Sequence, residues 1–380
     1  MHDALLAIVS RKAYGWESMK SLPHLLASLG LVCALPSPQD LRDPLPERQH
    51  YSAFRATAPL QIDGRMEESD WRSAPWTNLF VDIEGAKKSA PRLATRAKML
   101  WDTDYFYIAA EMEEPHLWGT LTERDSVIFY DNDFEVFIDP DGDTHDYYEL
   151  EVNALGTEWD LLLERPYRDG GPALHEFDTP GLLSAVQMYG TLNDPSDIDR
   201  SWTIEIAIPF AALRAIAGRP APPANGDVWW VNFSRVQWRL DVVDGAYTKR
   251  ADDNGKELRE DNWVWSPQGV IAMHEPESWG LVQFVGSPAP EAGQELPEFE
   301  LPADLWQRYV LHELYDAQRA FRDEHGVFFG AVKDAPAKLR ELCKARGFEL
   351  SIHRTPSMFE VRLEHKTDGL LRINHEGHIW

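Results

Sequence analysis

Acidic and apolar side chains alternate along residues 129–153, which read FYDNDFEVFIDPDGDTHDYYELEVN. Successive side chains of an extended strand point to opposite faces, so Asp133 and Glu135 share one face of a first predicted strand. Glu149 and Glu151 share one face of a second predicted strand in the same way. If these strands pair, the sheet has an acid-lined face. Carboxylates accept hydrogen bonds from the vicinal hydroxyls of a sugar, and a solvated outer sheet face is the alternative interpretation.

The turn between these two runs, DPDGDTHD, carries four further carboxylates. They are Asp139, Asp141, Asp143 and Asp146, whose hard oxygen atoms are the ligands that calcium prefers. The turn does not match an EF-hand loop, because that motif needs glycine at its sixth position and Gly142 is the fourth residue here. A calcium site and a hairpin turn kept soluble by its acids therefore both remain open.

Tryptophans are concentrated in residues 259–280, REDNWVWSPQGVIAMHEPESWG, which we predict to form a loop rich in turns. Trp263 and Trp265 point the same way if this segment is extended. Their indoles could stack on the flat C–H faces of a sugar, beside the amide of Asn262, or pack in a core. Trp279 is followed by GLVQF and is predicted to be a core residue.

The elements that must position these residues are short and β-like. From about residue 59 to residue 286, runs of alternating polarity are separated by clusters of turn residues, which predicts an antiparallel β-sandwich. The predicted strands cover residues 96–101, 105–112, 133–139, 147–153, 158–163, 201–208, 227–238 and 279–284. In SWTIEIAIPF, the alternation places Trp202 and three isoleucines on the inner face.

The last quarter of the chain differs in composition. Residues 287–302 are rich in proline and acids and predict a linker. Residues 303–380 predict a small α+β domain. Its first helix is capped by Asp304, runs to about Glu324 and is stopped by Gly326, and a second helix over residues 335–346 and three short strands follow. No motif in this region indicates chemistry.

The chain of 380 residues has a formal net charge of −26 and 43% hydrophobic residues, enough for an ordinary core. Binding to nucleic acid or to an anionic membrane needs clustered lysine and arginine, so the charge disfavours both partners. Neutral or cationic ligands fit better. No run reaches the ~20 apolar residues of a transmembrane helix.

The N-terminal residues predict export. From Met19 the sequence has Lys20, an apolar run over residues 25–35 and a proline-bearing exit, as in a secretory signal peptide. We expect translation to start at Met19, a signal region over residues 1–35 and a flexible leader over residues 36–58. The expected location is periplasmic or extracellular.

Five stretches together resemble the family 9 carbohydrate-binding modules of the DOMON-like superfamily. These are APLQIDGRMEESDW, WDTDYFYIAAEMEEPH, YDNDFEVFIDPDGD, WTIEIAIPFAAL and WVNFSRVQW, within about residues 59–286. The resemblance implies a jelly-roll type β-sandwich with bound calcium. It also implies a groove in which two aromatic walls clamp an oligosaccharide or polysaccharide without cutting it.

Residue by residue, the resemblance places the sugar-binding acid on Glu135 and one aromatic wall on Phe129. A basic residue of the studied modules corresponds to Glu151, and an amide-bearing one to Ser234, next to which Arg235 is a possible replacement donor. The predicted sugar-binding residues are Phe129, Glu135, Arg235, Asn262, Trp263 and Trp265.

Two other functions remain open. Other DOMON-like sandwiches resemble haem-binding cytochrome domains, for which Met112, Met273 and His274 are the candidate axial ligands, although the sequence has no C-x-x-C-H motif. A glycoside hydrolase needs only two carboxylates at a suitable separation, and this acidic sequence supplies many pairs. The usual motifs of nucleophilic, zinc and nucleotide-dependent enzymes are absent from the sequence.

Overall fold

The structure is a computed structural model that describes residue 45, residues 48–291 and residues 294–380. Residues 45–380 form one compact unit. The signal region predicted over residues 1–35 lies outside the described residues, as does the first part of the predicted leader. Within the described part of the chain, no helix combines the length and the apolar character needed to cross a membrane.

Thirteen strands form one large mixed sheet, which confirms the predicted mainly β fold. The strands of the β-rich region are β1 (His50–Arg55), β2 (Val81–Asp82), β3 (Thr95–Trp101), β4 (Tyr105–Glu113), β5 (Asp133–Asp139), β6 (Tyr147–Asn153), β7 (Glu158–Leu163), β8 (Ala173–Leu174), β9 (Leu183–Tyr189), β10 (Ser201–Pro209), β11 (Val228–Gln237), β12 (Leu240–Val243), β13 (Ala246–Lys249), β14 (Asp261–Val264) and β15 (Gly280–Val285). Strands β12 and β13 form a separate hairpin. Two short helices, α1 (Ser69–Ser73) and α2 (Phe210–Leu213), lie between strands.

The strand order explains how the sheet encloses a core. It runs β8-β7-β6-β5-β11-β15-β1-β3-β4-β10-β9, and β14 pairs with both β11 and β2. Apolar side chains from β5, β6 and β11 share one core with side chains from β3, β4 and β10, so the two halves of the sheet face each other. Trp202 and the isoleucines of β10 lie in this main core, as the alternation predicts.

Strand β1 corrects two predictions. It lies inside the predicted flexible leader, and it pairs in parallel with β15 and with β3, so the sheet is mixed rather than antiparallel throughout. Tyr51 and Ala53 are buried in the main core, although the strand has six residues and follows a proline-rich segment that gives no strand signal. The domain therefore begins before residue 59, because β1 joins the two halves of the sheet.

The C-terminal residues form helices α3 (Leu305–His325) and α4 (Ala337–Arg346) and the strands β16 (Glu349–Arg354), β17 (Phe359–His365) and β18 (Gly369–Asn374). This matches the predicted α+β region, and its antiparallel sheet and two helices have a core of their own. The region is not a free domain, because it contacts the β5–β6 turn. Arg308 donates to the carbonyl of Gly142 at 2.6 Å, and the amide of Ile379 donates to the carbonyl of Asp143 at 3.2 Å.

Candidate functional site

The acid-lined face forms where four strands of the sheet pair side by side. Ser234 of β11 is opposite Glu135 of β5, Glu135 is opposite Glu151 of β6, and Glu151 is opposite Trp159 of β7. Directly paired residues of neighbouring strands point to the same side of a sheet. These four side chains therefore lie side by side in one row, termed the acid row, on the side opposite the main core.

The face around the acid row is buried, which corrects the prediction of a solvated surface. Asp133, Glu135, Glu149 and Glu151 are each at most 5% exposed. Apolar and aromatic residues cover this side of the sheet and form a second hydrophobic cluster there. The backbone amide of Phe129 donates to Glu151 at 3.0 Å, which brings the segment before β5 against the row.

Burial dominates the electrostatics of these carboxyl groups. It raises the pKa of Glu135 to about 7, and a hydrogen bond from Ser234 opposes part of the rise. Burial, together with neighbouring carboxylates, raises the pKa of Asp133, Glu149 and Glu151 well above the ordinary values. No lysine or arginine of the described residues is close enough to lower these pKa values appreciably.

Three polar atoms on this face have no hydrogen-bond partner within the described part of the chain. They are Oδ2 of Asp133, Oε2 of Glu149 and the indole Nε1 of Trp159. A buried polar group without a partner costs ~1–3 kcal/mol, so native proteins rarely keep one. Two of these atoms are acceptors when ionised, and the third is an obligate donor. The set therefore suits a ligand that both donates and accepts hydrogen bonds.

Two aromatic rings lie next to the indole of Trp159. The ring of His175 stacks on it with a centroid distance of 5.5 Å, and the ring of Phe129 lies 6.4 Å away. Phe129 is half-buried and also contacts a further aromatic cluster that contains Trp118 and Trp238. The Nζ atom of Lys249 lies 3.4 Å from the ring centroid of Trp238. Phe129 thus links Trp159 of the acid row to this second group of aromatic rings.

The sheet separates the sequence-predicted sugar-binding residues into two groups. Phe129 and Glu135 lie on the outer side, and Asn262 belongs there as well because it pairs with outward-facing Val236. The predicted sugar-binding residues Trp263 and Trp265 are 3% and 1% exposed. They lie in the main core and cannot stack on a sugar there. Their segment is strand β14 and the residue after it, not the predicted loop.

Arg235 also departs from the prediction. Its side chain is fully buried on the core side of β11, where it forms an ion pair with Glu114 at 3.2 Å and a hydrogen bond to Thr95 at 2.9 Å. Its guanidinium lies 5.3 Å from the ring of Trp263. Because residues 234 and 235 point to opposite faces of the strand, Arg235 cannot reach a ligand beside Glu135.

Trp159 is a candidate site residue that the sequence patterns did not single out. A signal was present, since Trp159 lies between the polar residues Glu158 and Asp160 and a short turn separates β7 from β6. That turn fixes which residue faces Glu151. Trp279, in contrast, is fully buried in the second cluster, as predicted.

The structure brings together three of the four aspartates that were predicted to bind calcium. Oxygen atoms of Asp139, Asp141 and Asp143 lie within 4.8 Å of one another, whereas exposed Asp146 is not part of this group. Burial and mutual repulsion raise the pKa of Asp141 to about 6. Three hard oxygen donors close together fit a calcium ion. His378 also reaches this turn, with its Nε2 at 2.9 Å from Asp143.

The candidate haem ligands are not brought together. Met112 lies in the main core, whereas Met273 belongs to the second cluster on the outer side of the sheet. His274 is adjacent to Met273, and its Nδ1 lies 2.9 Å from the hydroxyl of Tyr147. The sheet therefore separates Met112 from the other two residues.

Comparisons with known proteins place the β-rich region among carbohydrate-binding modules. Residues 62–287 match the family described as carbohydrate family 9 binding domain-like. No curated protein matches the chain.

Three solved structures are similar at low sequence identity. A family 9 carbohydrate-binding module from Caldicellulosiruptor kristjanssonii in complex with cellotriose has 14% identity and a TM-score of 0.38, over 66% of this chain and 98% of that one. A family 9 module from the same organism in complex with glucose has 14% sequence identity and a TM-score of 0.38, over 65% of this chain and 100% of that one. A candidate carbohydrate-binding protein from Bacteroides uniformis has 15% sequence identity and a TM-score of 0.46, over 63% of this chain and 100% of that one.

Proposed function

Because the chain belongs to the carbohydrate family 9 binding domain-like family, we propose that it binds an oligosaccharide or polysaccharide at the acid row without cleaving it. Glu135, Glu149 and Glu151 would accept hydrogen bonds from sugar hydroxyls. The indole N–H of Trp159 would donate one, and Phe129 would pack against the sugar ring.

The unpartnered atoms beside the acid row carry this proposal. A metal ion could neutralise the carboxylates, since oxygen atoms of Asp133, Glu135 and Glu151 lie within 4.8 Å of one another. It would leave the N–H of Trp159 without an acceptor. A neutral sugar satisfies both kinds of group, because each hydroxyl donates and accepts. The family supports the same ligand class independently of this geometry.

Access to the acid row requires movement. Glu135, Glu151 and Trp159 are at most 5% exposed, so a sugar reaches them after Phe129 and His175 move aside. Binding that waits for such an opening has a lower apparent affinity than binding to a preformed groove. We therefore expect association to be slower than the diffusion limit.

The direct test is calorimetric titration of the full chain with neutral cello-oligosaccharides. We expect saturable binding with a stoichiometry of about one. Absence of heat and of any thermal shift with neutral oligosaccharides of several linkages, up to millimolar concentration, would contradict the proposal.

Hydrolysis is the second candidate, because a carboxyl group with a pKa near 7 could act as a general acid. A reducing-end assay with the wild type and Glu135→Gln separates the two functions. A binding protein releases no reducing ends in either form, whereas a hydrolase releases them and loses this activity in the variant.

Export is a further part of the proposal and is supported by the sequence of residues 19–39. Edman sequencing of the protein recovered from the culture medium or periplasm gives the processed N-terminus. A chain that begins near residue 36 supports export, and one that begins at Met1 opposes it.

We also propose that Asp139, Asp141 and Asp143 bind calcium in a structural role, because the ion would offset their mutual repulsion. Thermal unfolding with calcium and with a chelator tests this directly. The wild type should lose stability in chelator, and Asp141→Asn should be insensitive to it. Equal unfolding temperatures of the wild type in both conditions would remove the hypothesis.

A further inference from the structure

One cavity in the described part of the chain lies away from the acid row. Its volume is about 570 Å³, within the range of small-molecule sites. It is bounded by the outer side of β3, β4 and β10, by helix α1, and by the side chains of Met66, Trp76 and Leu79. The cavity is thus on the half of the sheet that faces the acid row across the main core.

Basic side chains predominate in the lining of this cavity, although the chain as a whole is acidic. The lining contains five basic side chains and two acidic ones, whereas the protein has a formal net charge of −26. The basic side chains are Arg65, Arg72, Arg96, Lys98 and Arg200. We therefore term it the basic cavity.

Both acidic side chains of the basic cavity are already engaged. Glu111 forms an ion pair with Arg96 at 2.6 Å, and Glu113 accepts the backbone N–H of Ala94 at 3.0 Å. Among the described residues, no carboxylate forms an ion pair with the other four basic side chains, which are Arg65, Arg72, Lys98 and Arg200. The cavity therefore keeps a local excess of positive charge.

Lys98 is the most unusual of these groups because it is 7% exposed. Its ammonium donates one hydrogen bond, at 2.5 Å, to the backbone carbonyl of Trp71. An ammonium has three donors, and a buried cation is costly unless an anion or several acceptors surround it. Burial and the nearby Arg96 lower the pKa of Lys98 to about 8. An anionic ligand in the cavity would stabilise the ammonium and raise the pKa of Lys98 again.

Aromatic rings hold three of the cations in place. The guanidinium of Arg96 and the ammonium of Lys98 lie 4.1 Å and 4.4 Å from the ring centroid of Trp76. The guanidinium of Arg200 lies 4.6 Å from the ring of Tyr189. Such contacts restrict long side chains before a ligand arrives, which lowers the entropic cost of binding.

We propose that the basic cavity is a second binding site, which takes an acidic sugar through its carboxylate or sulfate group. Lys98 and the arginines bind the anionic group, and the apolar surface of Trp76, Met66 and Leu79 contacts the ring. The choice of a sugar as the carrier of the charge rests on the proposed function. Recognition of the anionic group does not.

The test is calorimetric titration of the full chain with glucuronate, glucose 6-sulfate, glucose and inorganic sulfate at low ionic strength. Glucuronate or glucose 6-sulfate should bind at least about tenfold more tightly than glucose and inorganic sulfate. The stronger of the two identifies the anionic group. Lys98→Met should weaken that binding about tenfold or more, while Lys98→Arg should retain most of it.

Several outcomes would overturn the proposal. These are equal affinities for glucose and both acidic sugars, equal affinities for inorganic sulfate and the more tightly bound acidic sugar, or an unchanged affinity of that acidic sugar in Lys98→Met. If Lys98→Met does not fold, Arg72→Gln on the exposed rim replaces it, with an expected loss of about threefold. Neutral oligosaccharides bind at the acid row and should be unaffected by either variant. Failure of neutral binding alone therefore contradicts the proposed function and leaves the basic cavity standing.

Discussion

The acid row and the basic cavity lie on the outer sides of the two facing halves of one sheet and have opposite charge. Around the acid row, buried carboxyl groups have raised pKa values and no basic partner among the described residues. In the basic cavity, four of five cations have no ion pair with a described carboxylate, and aromatic rings hold three of the five. The difference shows that charge in this protein is segregated by face, so its net value does not define its ligands.

Replacing Trp159 should have the largest effect, because it removes neutral-oligosaccharide binding at the acid row and leaves the basic cavity unchanged. Trp159→Ala removes both the ring and the N–H donor, so we expect neutral-oligosaccharide affinity to fall about 30- to 100-fold, or ~2–3 kcal/mol. Trp159→Phe keeps a ring and should lose about five- to tenfold. Calorimetric titration of both variants measures these losses.

Trp265→Phe is the matched control, because Trp265 is equally aromatic but lies in the main core. It should lower the unfolding temperature and leave sugar affinity unchanged. If Trp265→Phe loses sugar affinity and Trp159→Phe binds normally, the sugar-binding residue is Trp265, as the sequence first suggested, and not Trp159.

The pH dependence of stability should have opposite signs on the two faces. The folded protein binds a proton at Glu135 up to a pKa of about 7, whereas the unfolded chain releases it near 4.5. The folded state therefore binds more protons between these values, and stability falls as the pH rises through 7. Glu135→Gln should match the wild type near pH 4 and exceed it at pH 8 by about 1–3 kcal/mol in urea unfolding.

Lys98, in the basic cavity, should give stability the opposite dependence on pH. Its pKa is lowered to about 8 by burial, so between about 8 and its ordinary 10.5 the unfolded chain binds more protons and stability rises with pH. Glu135→Gln should remove a fall of stability with rising pH, and Lys98→Met should remove a rise. If both substitutions change the slope of stability against pH in the same direction, the two faces are not electrostatically distinct.

The smallest expected effect concerns the C-terminal region, which contacts the half of the sheet that carries the acid row. The hydroxyl of Tyr315 donates to Asp169, beside which Arg319 also binds. Tyr315→Phe should lower the free energy of unfolding by about 1 kcal/mol. Differential scanning calorimetry measures this loss, and acidic-sugar binding in the basic cavity should not change. A change in that binding would show that the two halves are coupled.

Much of the fold follows from alternation along the strands. Residues 133–139, 147–153 and 158–163 were predicted with the bounds that the structure has, because each is a short run of β-forming residues bounded by turn residues. Strand β1 could not be predicted in the same way. It is short, it follows prolines, and its stability comes from parallel pairing with two distant strands.

The site was harder to predict because a sequence pattern shows which residues share a face but not what covers that face. Alternation placed Glu135 and Glu151 together correctly, yet their burial depends on Phe129 and the rings beyond it. The sequence allowed Trp263 and Trp265 to be exposed rings. They are buried because β14 pairs with β11, which places both side chains in the main core. The basic cavity joins residues from positions 65 to 203, and net charge conceals it.

The most direct test of the account is a crossed titration, in which Trp159→Phe and Lys98→Met are each titrated with a neutral oligosaccharide and with an acidic sugar. We predict that Trp159→Phe loses neutral-sugar affinity alone and that Lys98→Met loses acidic-sugar affinity alone. Loss of both ligands in one variant of unchanged thermal stability, or loss of neither ligand in both variants, would contradict the assignment of two sites to two oppositely charged faces.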